Sequence, residues 1–209
     1  MCHRCDNSKP PGKTRIAGGI YLFAAYFAET LACWIVLVAL DGRSAAAQEM
    51  IDERREYNVK AVSLYAFGRY VTWPNAAFEH EKSPFVIGLL GGNPFGDALE
   101  RIASKKQLNG RKIEVRPIAT AHEAVECHMV FVSRRVTAEI QDELFSHAAG
   151  KPVLLVGETP GFTQKGGVIN FYQSGSNIRF ELNPEKGIES QLSLNAKLLS
   201  LGTKSSTRQ

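Results

Sequence analysis

The chain has 209 residues, 44% of them hydrophobic, and a formal net charge of +4. That length suits one domain with a sizeable core, and so small a charge argues against a nucleic-acid or anionic-membrane footprint.

In chain order, residues 1–15 come first and carry Arg4, Lys9, Lys13 and Arg15 against the single acid Asp6. An apolar stretch follows from Ile16 to Leu40, broken by Glu29, and then Ala45-Ala46-Ala47. A basic segment, an apolar segment and a small-residue site are the parts of a secretory signal peptide, with the cut after Ala47. The alternative is an uncleaved anchor, since the stretch approaches the ~20 residues needed to span a bilayer. Glu29 and the small-residue site favour cleavage. Residues 1–47 are therefore expected as a signal peptide, 48–202 as one α/β domain and 203–209 as a disordered tail. Removing the leader's five basic and three acidic residues from totals of 25 and 21 leaves 20 and 18. Cys2, Cys5 and Cys33 leave with it, so the mature chain has Cys127 alone and no internal disulfide.

A first helix is expected over Glu49–Trp73, with Ala61, Leu64, Gly68 and Val71 on one face, ended by Pro74. The continuous apolar run Pro84–Gly91 reads as a strand buried on both sides. Asn93-Pro94 then supplies an N-cap and a proline at the first helical position, for a helix to about Lys106. Lys112–Ala119 alternates, and Cys127–Ser133 is a second buried strand. Thr137–Ala149 is helical, with Ile140 and Leu144 inward and Gly150 as the stop. Val153–Gly157 is a strand, and Val168–Tyr172 with Ile178–Leu182 reads as a hairpin around Ser174–Asn177. A last helix, Glu185–Leu201, brings Ile188, Leu192, Leu198 and Leu199 to the core. The whole is an α/β three-layer sandwich: a mostly parallel sheet with an antiparallel edge hairpin and flanking helices.

Ligands in such sheets bind at the carboxyl ends of the strands, which directs attention to residues 91–96, 133–137 and 157–167. The stretch Gly157–Phe171 holds four glycines and resembles a phosphate loop. A phosphate loop needs a helix behind it, whereas Gly166-Gly167 leads into a strand, and no Ser or Thr follows Lys165 as a metal ligand. Gly161, Gly166 and Gly167 are read instead as reversing the chain into an antiparallel strand, with a positive φ at Gly166 or Gly167. Phe162, between them, either plugs the core edge or faces a partner, and Lys165 stands beside it as a binding candidate. Gly91-Gly92-Asn93-Pro94-Phe95-Gly96 does lie between a strand and a helix, so Gly92, Asn93 and Phe95 are ligand or partner candidates. Its middle glycine is replaced by Asn93, however, which breaks the dinucleotide fingerprint. His122, Glu126, Cys127 and His128 cluster in sequence, but alternation sends Cys127 and His128 to opposite faces, so no metal site is expected. No serine elbow or carboxylate pair supports catalysis, and no cofactor is implied.

Several stretches carry a resemblance. These are Lys60–Pro74 with Tyr65, Phe67, Trp73 and Pro74; Pro84–Gly91 with Pro94-Phe95-Gly96; Gly110-Arg111; and Cys127-His128 through Ser133. With them go Gly161-Phe162, Gly166-Gly167 through Phe171, and Arg179-Phe180 through Asn183. Together they resemble the YfiR family of exported proteins, over Lys60 to about Leu201. The resemblance implies a periplasmic, often dimeric regulator that restrains an inner-membrane diguanylate cyclase, and not an enzyme. It also implies a cysteine-based redox control of which one position appears here as Gly88, leaving Cys127 unpaired. The other reading is a periplasmic small-ligand receptor, with its site near 91–96 and 133–137, feeding another membrane sensor such as a histidine kinase.

Overall fold

The computed structural model describes residues 47–205. The expected signal peptide lies outside the described residues except for Ala47, as do Cys2, Cys5 and Cys33. The compact unit described below runs from Asp52 onward. Residues 47–70 are helical (α1), and Tyr57, Ala61, Leu64 and Phe67 are buried along one face. The i, i+4, i+7 spacing of Tyr57, Ala61 and Leu64 is that of an amphipathic helix packed on a core. α1 stops before the expected Trp73 because Val71–Thr72 forms a short strand, β1, and the residue before Pro74 disfavours helix.

β2 (Phe85–Leu90) is wholly buried, as its unbroken apolar run requires. α2 (Ala98–Lys105) begins four residues later than expected. Asn93 does not cap it. Its Oδ1 accepts from the Phe95 N–H at 2.9 Å and its Nδ2 donates to the Gly96 carbonyl, holding a local turn in which Gly96 has φ +57°. β3 (Gln107–Leu108) and β4 (Arg111–Ile118) form a hairpin across Asn109-Gly110, both with positive φ, as such a tight turn demands.

β5 (Met129–Val132), α3 (Ala138–Ala148), β6 (Leu154–Gly157), α4 (Phe162–Lys165), β7 (Ile169–Ser174) and β8 (Asn177–Leu182) follow. In α3 Leu144 is buried but Ile140 is 38% exposed. Gln141 takes the inward position instead, its Nε2 donating to the Val136 carbonyl at 3.0 Å.

The expected last helix is broken. α5 (Pro184–Glu189) ends, Gln191 turns with φ +57°, and β9 (Ser193–Leu194) pairs antiparallel with β1 before α6 (Ala196–Leu201). The break drops Leu192 into the core and leaves Ile188 exposed. Thr203–Lys204, placed in a disordered tail by the sequence reading, forms β10, which pairs parallel with β8. Only residues 206–209 of that tail lie outside the described ones.

The large sheet runs β10-β8-β7-β6-β5-β2-β4-β3. Strands β4, β2, β5, β6 and β7 are mutually parallel; β3 runs antiparallel to β4 and β8 antiparallel to β7, with β10 parallel to β8 at the edge. Numbered by chain order, the parallel strands read 2-1-3-4-5, the flavodoxin-like order, with the reversal between β2 and β5. Alternation along the strands splits the core in two. Phe85, Ile87, Leu89, Met129 and Phe131 face α1 and α2. Val86, Leu90, Val130 and Val132 face Leu144 and Ala148 of α3.

Candidate functional site

The carboxyl ends of the parallel strands are the first place for a site in this topology. At the β2/β5 reversal, however, the crevice is filled from within. A Cβ on Gly91 (φ +86°) would meet Val136 Cγ2 at 2.5 Å, so that glycine exists to admit the valine. Phe95 is buried and stands edge-on to Phe131 at 4.8 Å and to Tyr57 at 5.5 Å. Gly92 (φ +95°) has nothing near its absent Cβ, and Asn93 is exposed but spends its amide on its own turn and on Glu100. The candidates Gly92, Asn93 and Phe95 therefore share a turn without forming a cavity.

One strand further on lies a charged cluster that the sequence did not reveal. Glu158 directly follows β6, and its side chain is 1% exposed. Lys60 of α1, equally buried, donates to it at 2.5 Å and also pairs with Glu56. The Arg134 N–H (2.9 Å) and the Tyr57 hydroxyl (3.1 Å) donate to the other Glu158 oxygen, and the Arg134 guanidinium reaches Glu56 at 2.5 Å. Burial alone would push the Glu158 carboxyl up, but the Lys60 ammonium and the Arg134 donors outweigh it and hold it below the usual carboxylate range. Burial, then the Glu158 charge, raises the Tyr57 phenol far above its ordinary value. Two cations against two carboxylates leave this cluster neutral and satisfied. It fastens α1 to the sheet, and removing one partner would strand a buried charge at roughly 3–5 kcal/mol.

The glycine-rich stretch is neither a phosphate cradle nor a reversal. β6 and β7 are parallel, joined by a crossover through α4, so the expected antiparallel entry is corrected. The positive φ falls at Gly161 (+79°), while Gly166 is extended (φ 164°). What the glycines provide is room. A Cβ on Gly157 would lie 2.5 Å from the Phe162 ring and one on Gly167 2.1 Å from it. Phe162 is fully buried in that slot against Phe145 (5.2 Å), so it is core and not a partner contact. A Cβ on Gly166 would in turn meet the Phe145 ring at 2.8 Å. Lys165 is exposed, 3.8 Å from Asp142.

The remaining motif residues are structural. The Trp73 indole donates to the His128 carbonyl at 3.0 Å, and Pro74 precedes a 3-10 turn over Asn75–Ala77. His128 stacks between Phe78 (4.3 Å) and Phe85 (5.1 Å), with Nδ1 accepting from the Val86 N–H and Nε2 donating to the Ala77 carbonyl. Phe171 and Phe180 pack on Phe67, and Arg179 is exposed. Cys127 lies on the opposite face of the sheet from His128, its thiol pushed up by burial to about 11. Among the described residues no group of three or more His, Cys, Asp or Glu could hold a metal ion, and no helix is long and apolar enough to cross a membrane.

A doubly wound, mostly parallel sheet with its reversal crevice plugged by its own side chains and α1 latched across the strand ends defines the class of fold. Within that class the chain belongs to the YfiR/HmsC-like family, whose model matches residues 57–203. That family is periplasmic, regulatory and not catalytic, and interacts with membrane signalling proteins. Solved structures give fainter likenesses. One is the ABC domain in complex with L-Trp from Streptococcus pneumoniae (10% identity, TM-score 0.42, 57% of this chain). Another is a conserved domain protein from Vibrio cholerae (10%, TM-score 0.41, 58%). The chain spans about half the length of each, 54% and 55%.

Proposed function

We propose that the protein is exported through a cleaved leader and acts in the periplasm as a homodimer. There it binds an inner-membrane signalling protein, a diguanylate cyclase, and holds it inactive, so lowering cyclic di-GMP and biofilm formation. The observation that carries this reading is the family match, which spans the compact domain from Tyr57 in α1 to Thr203 in β10. The receptor alternative draws no support from the β2/β5 crevice, where Val136 and Phe95 occupy the space a small ligand would need.

The test is a deletion strain complemented with wild-type protein. Cyclic di-GMP should rise on deletion and return on complementation, with mature protein in the periplasm beginning at or near Gln48. Unchanged cyclic di-GMP with the protein present would reject the reading.

A further inference from the structure

β7 is longer than the strand that should cover it. It pairs with β8 over its whole length, from Ile169↔Leu182 to Ser174↔Asn177, but with β6 only at Ile169 and Asn170. β6 stops at Gly157 because Glu158 is drawn into the Lys60 cluster, and Pro160 beyond it has no N–H to continue a ladder. Ser174 and Asn177 flank a two-residue turn, Gly175-Ser176, and such a flanking pair exchanges both of its hydrogen bonds. Counting back, Tyr172 and Asn170 also direct their main-chain groups to β8, whereas Ile169, Phe171 and Gln173 direct theirs to the β6 side. Beyond Gly157 that side is uncovered. Apart from the β6 and β8 ladders, no hydrogen bond among the described residues reaches the main chain of residues 171–174.

The uncovered length borders a groove of about 340 Å³, walled by Glu158, Pro160, Gly161, Gln164 and Glu181. Of its two acidic wall residues Glu158 is already paired with Lys60 and Arg134, which leaves the Glu181 carboxylate to set the charge, and no Lys or Arg among the described residues lines the groove. Asn170, 3% exposed in the same wall, has an Oδ1 with no hydrogen-bond partner. The groove thus offers a short row of main-chain groups beside side-chain acceptors. An extended chain rising ~3.3 Å per residue would lay about three residues along it.

We infer that this notch is where the membrane partner docks, by adding an extended segment that carries a Lys or Arg as a strand beside residues 171–174 of β7. The inference rests on the proposed function, because the partner is the restrained membrane protein. Main-chain pairing gives the segment its register, and Glu181 with Asn170 Oδ1 selects the basic side chain.

The test is complementation of the deletion strain with three forms. Gln173→Pro removes the N–H that faces the notch and leaves the β8 ladder intact. Gln173→Ala keeps that N–H, and wild type is the reference. Wild type and Gln173→Ala should restore low cyclic di-GMP. Gln173→Pro should leave it at the deletion level while being exported, melting close to wild type and keeping wild-type solution mass. Should wild type itself fail to restore, the proposed function fails and the notch with it. Should Gln173→Pro restore fully, or Gln173→Ala lose activity as completely as Gln173→Pro, main-chain pairing at the notch is rejected and the function stands. A changed solution mass in Gln173→Pro would mean that the notch serves a second copy of this chain, which also overturns the inference. If Gln173→Pro does not fold, a photo-crosslinker at position 173 decides. Capture of the cyclase there, and none from exposed Glu185, supports the notch; the reverse rejects it.

Discussion

His128 has both ring nitrogens engaged, one accepting from Val86 and one donating to Ala77, so a second proton has no place in the folded ring. Burial lowers its pKa below the ordinary 6.5, partly offset by the Ala77 carbonyl and reinforced by the nearby Arg111 charge. The unfolded chain takes up this proton near 6.5, the folded chain only at lower pH. The unfolded state therefore binds more protons in between, and stability falls as pH drops below about 6.5. Urea midpoints should be lower at pH 5.5 than at 7.5, with the His128 ring titrating below 6.5 by NMR; a ring that titrates above 6.5 would contradict the assignment. On the other face of the sheet, a Cβ at Gly88 would lie 3.5 Å from Cys127 Cβ and 2.8 Å from its Sγ, within disulfide reach. Gly88→Cys should form that bond and stabilise by about 4 kcal/mol for a loop of roughly 40 residues, all of it lost on reduction. Wild type, with Cys127 free and buried, should melt at the same temperature with and without reductant. Two free thiols in oxidised Gly88→Cys would show that the two positions do not meet.

At the scale of elements, the crossover from β6 through α4 to β7 depends on one ring in a glycine slot. Phe162→Ala empties it and should cost about 3–5 kcal/mol. Gly167→Val, whose Cβ alone would sit 2.1 Å from the ring, should be at least as damaging. Denaturant unfolding checks both, and a Phe162→Ala protein of wild-type stability would contradict the slot. The sequence showed that Gly166 and Gly167 were architectural, because a strand rather than a helix follows them. It did not show the mechanism, since a glycine required for space and one required for φ look alike until the opposing side chain is known. Asn109-Gly110, by contrast, is a strong hairpin signal that was open to reading and marks the β3–β4 turn. The break between α5 and α6 was hidden because Ile188, Leu192 and Leu199 mimic a helical stripe, and only pairing of β9 with distant β1 decides against it.

For the whole molecule, continuous apolar runs and their alternation with helices made the parallel sheet legible, including the opposite facing of Cys127 and His128. The Lys60–Glu158 cluster was not legible. Its members come from α1, the loop after β5 and the end of β6, and a lysine on a helix gives no sign that it will be buried. The closed β2/β5 crevice was hidden too, because nothing in the loops after β2 and β5 shows that Phe95 and Val136 fold back into it, with Tyr57 of distant α1 packed on Phe95. The proposed function has the molecule present a surface to a membrane partner, and the closed crevice and the uncovered main chain of β7 are what support that reading. Cyclic di-GMP in the deletion strain, with and without the wild-type chain, tests that account most directly. The account predicts a rise on deletion that the wild-type chain reverses; a level that ignores both deletion and restoration would contradict it.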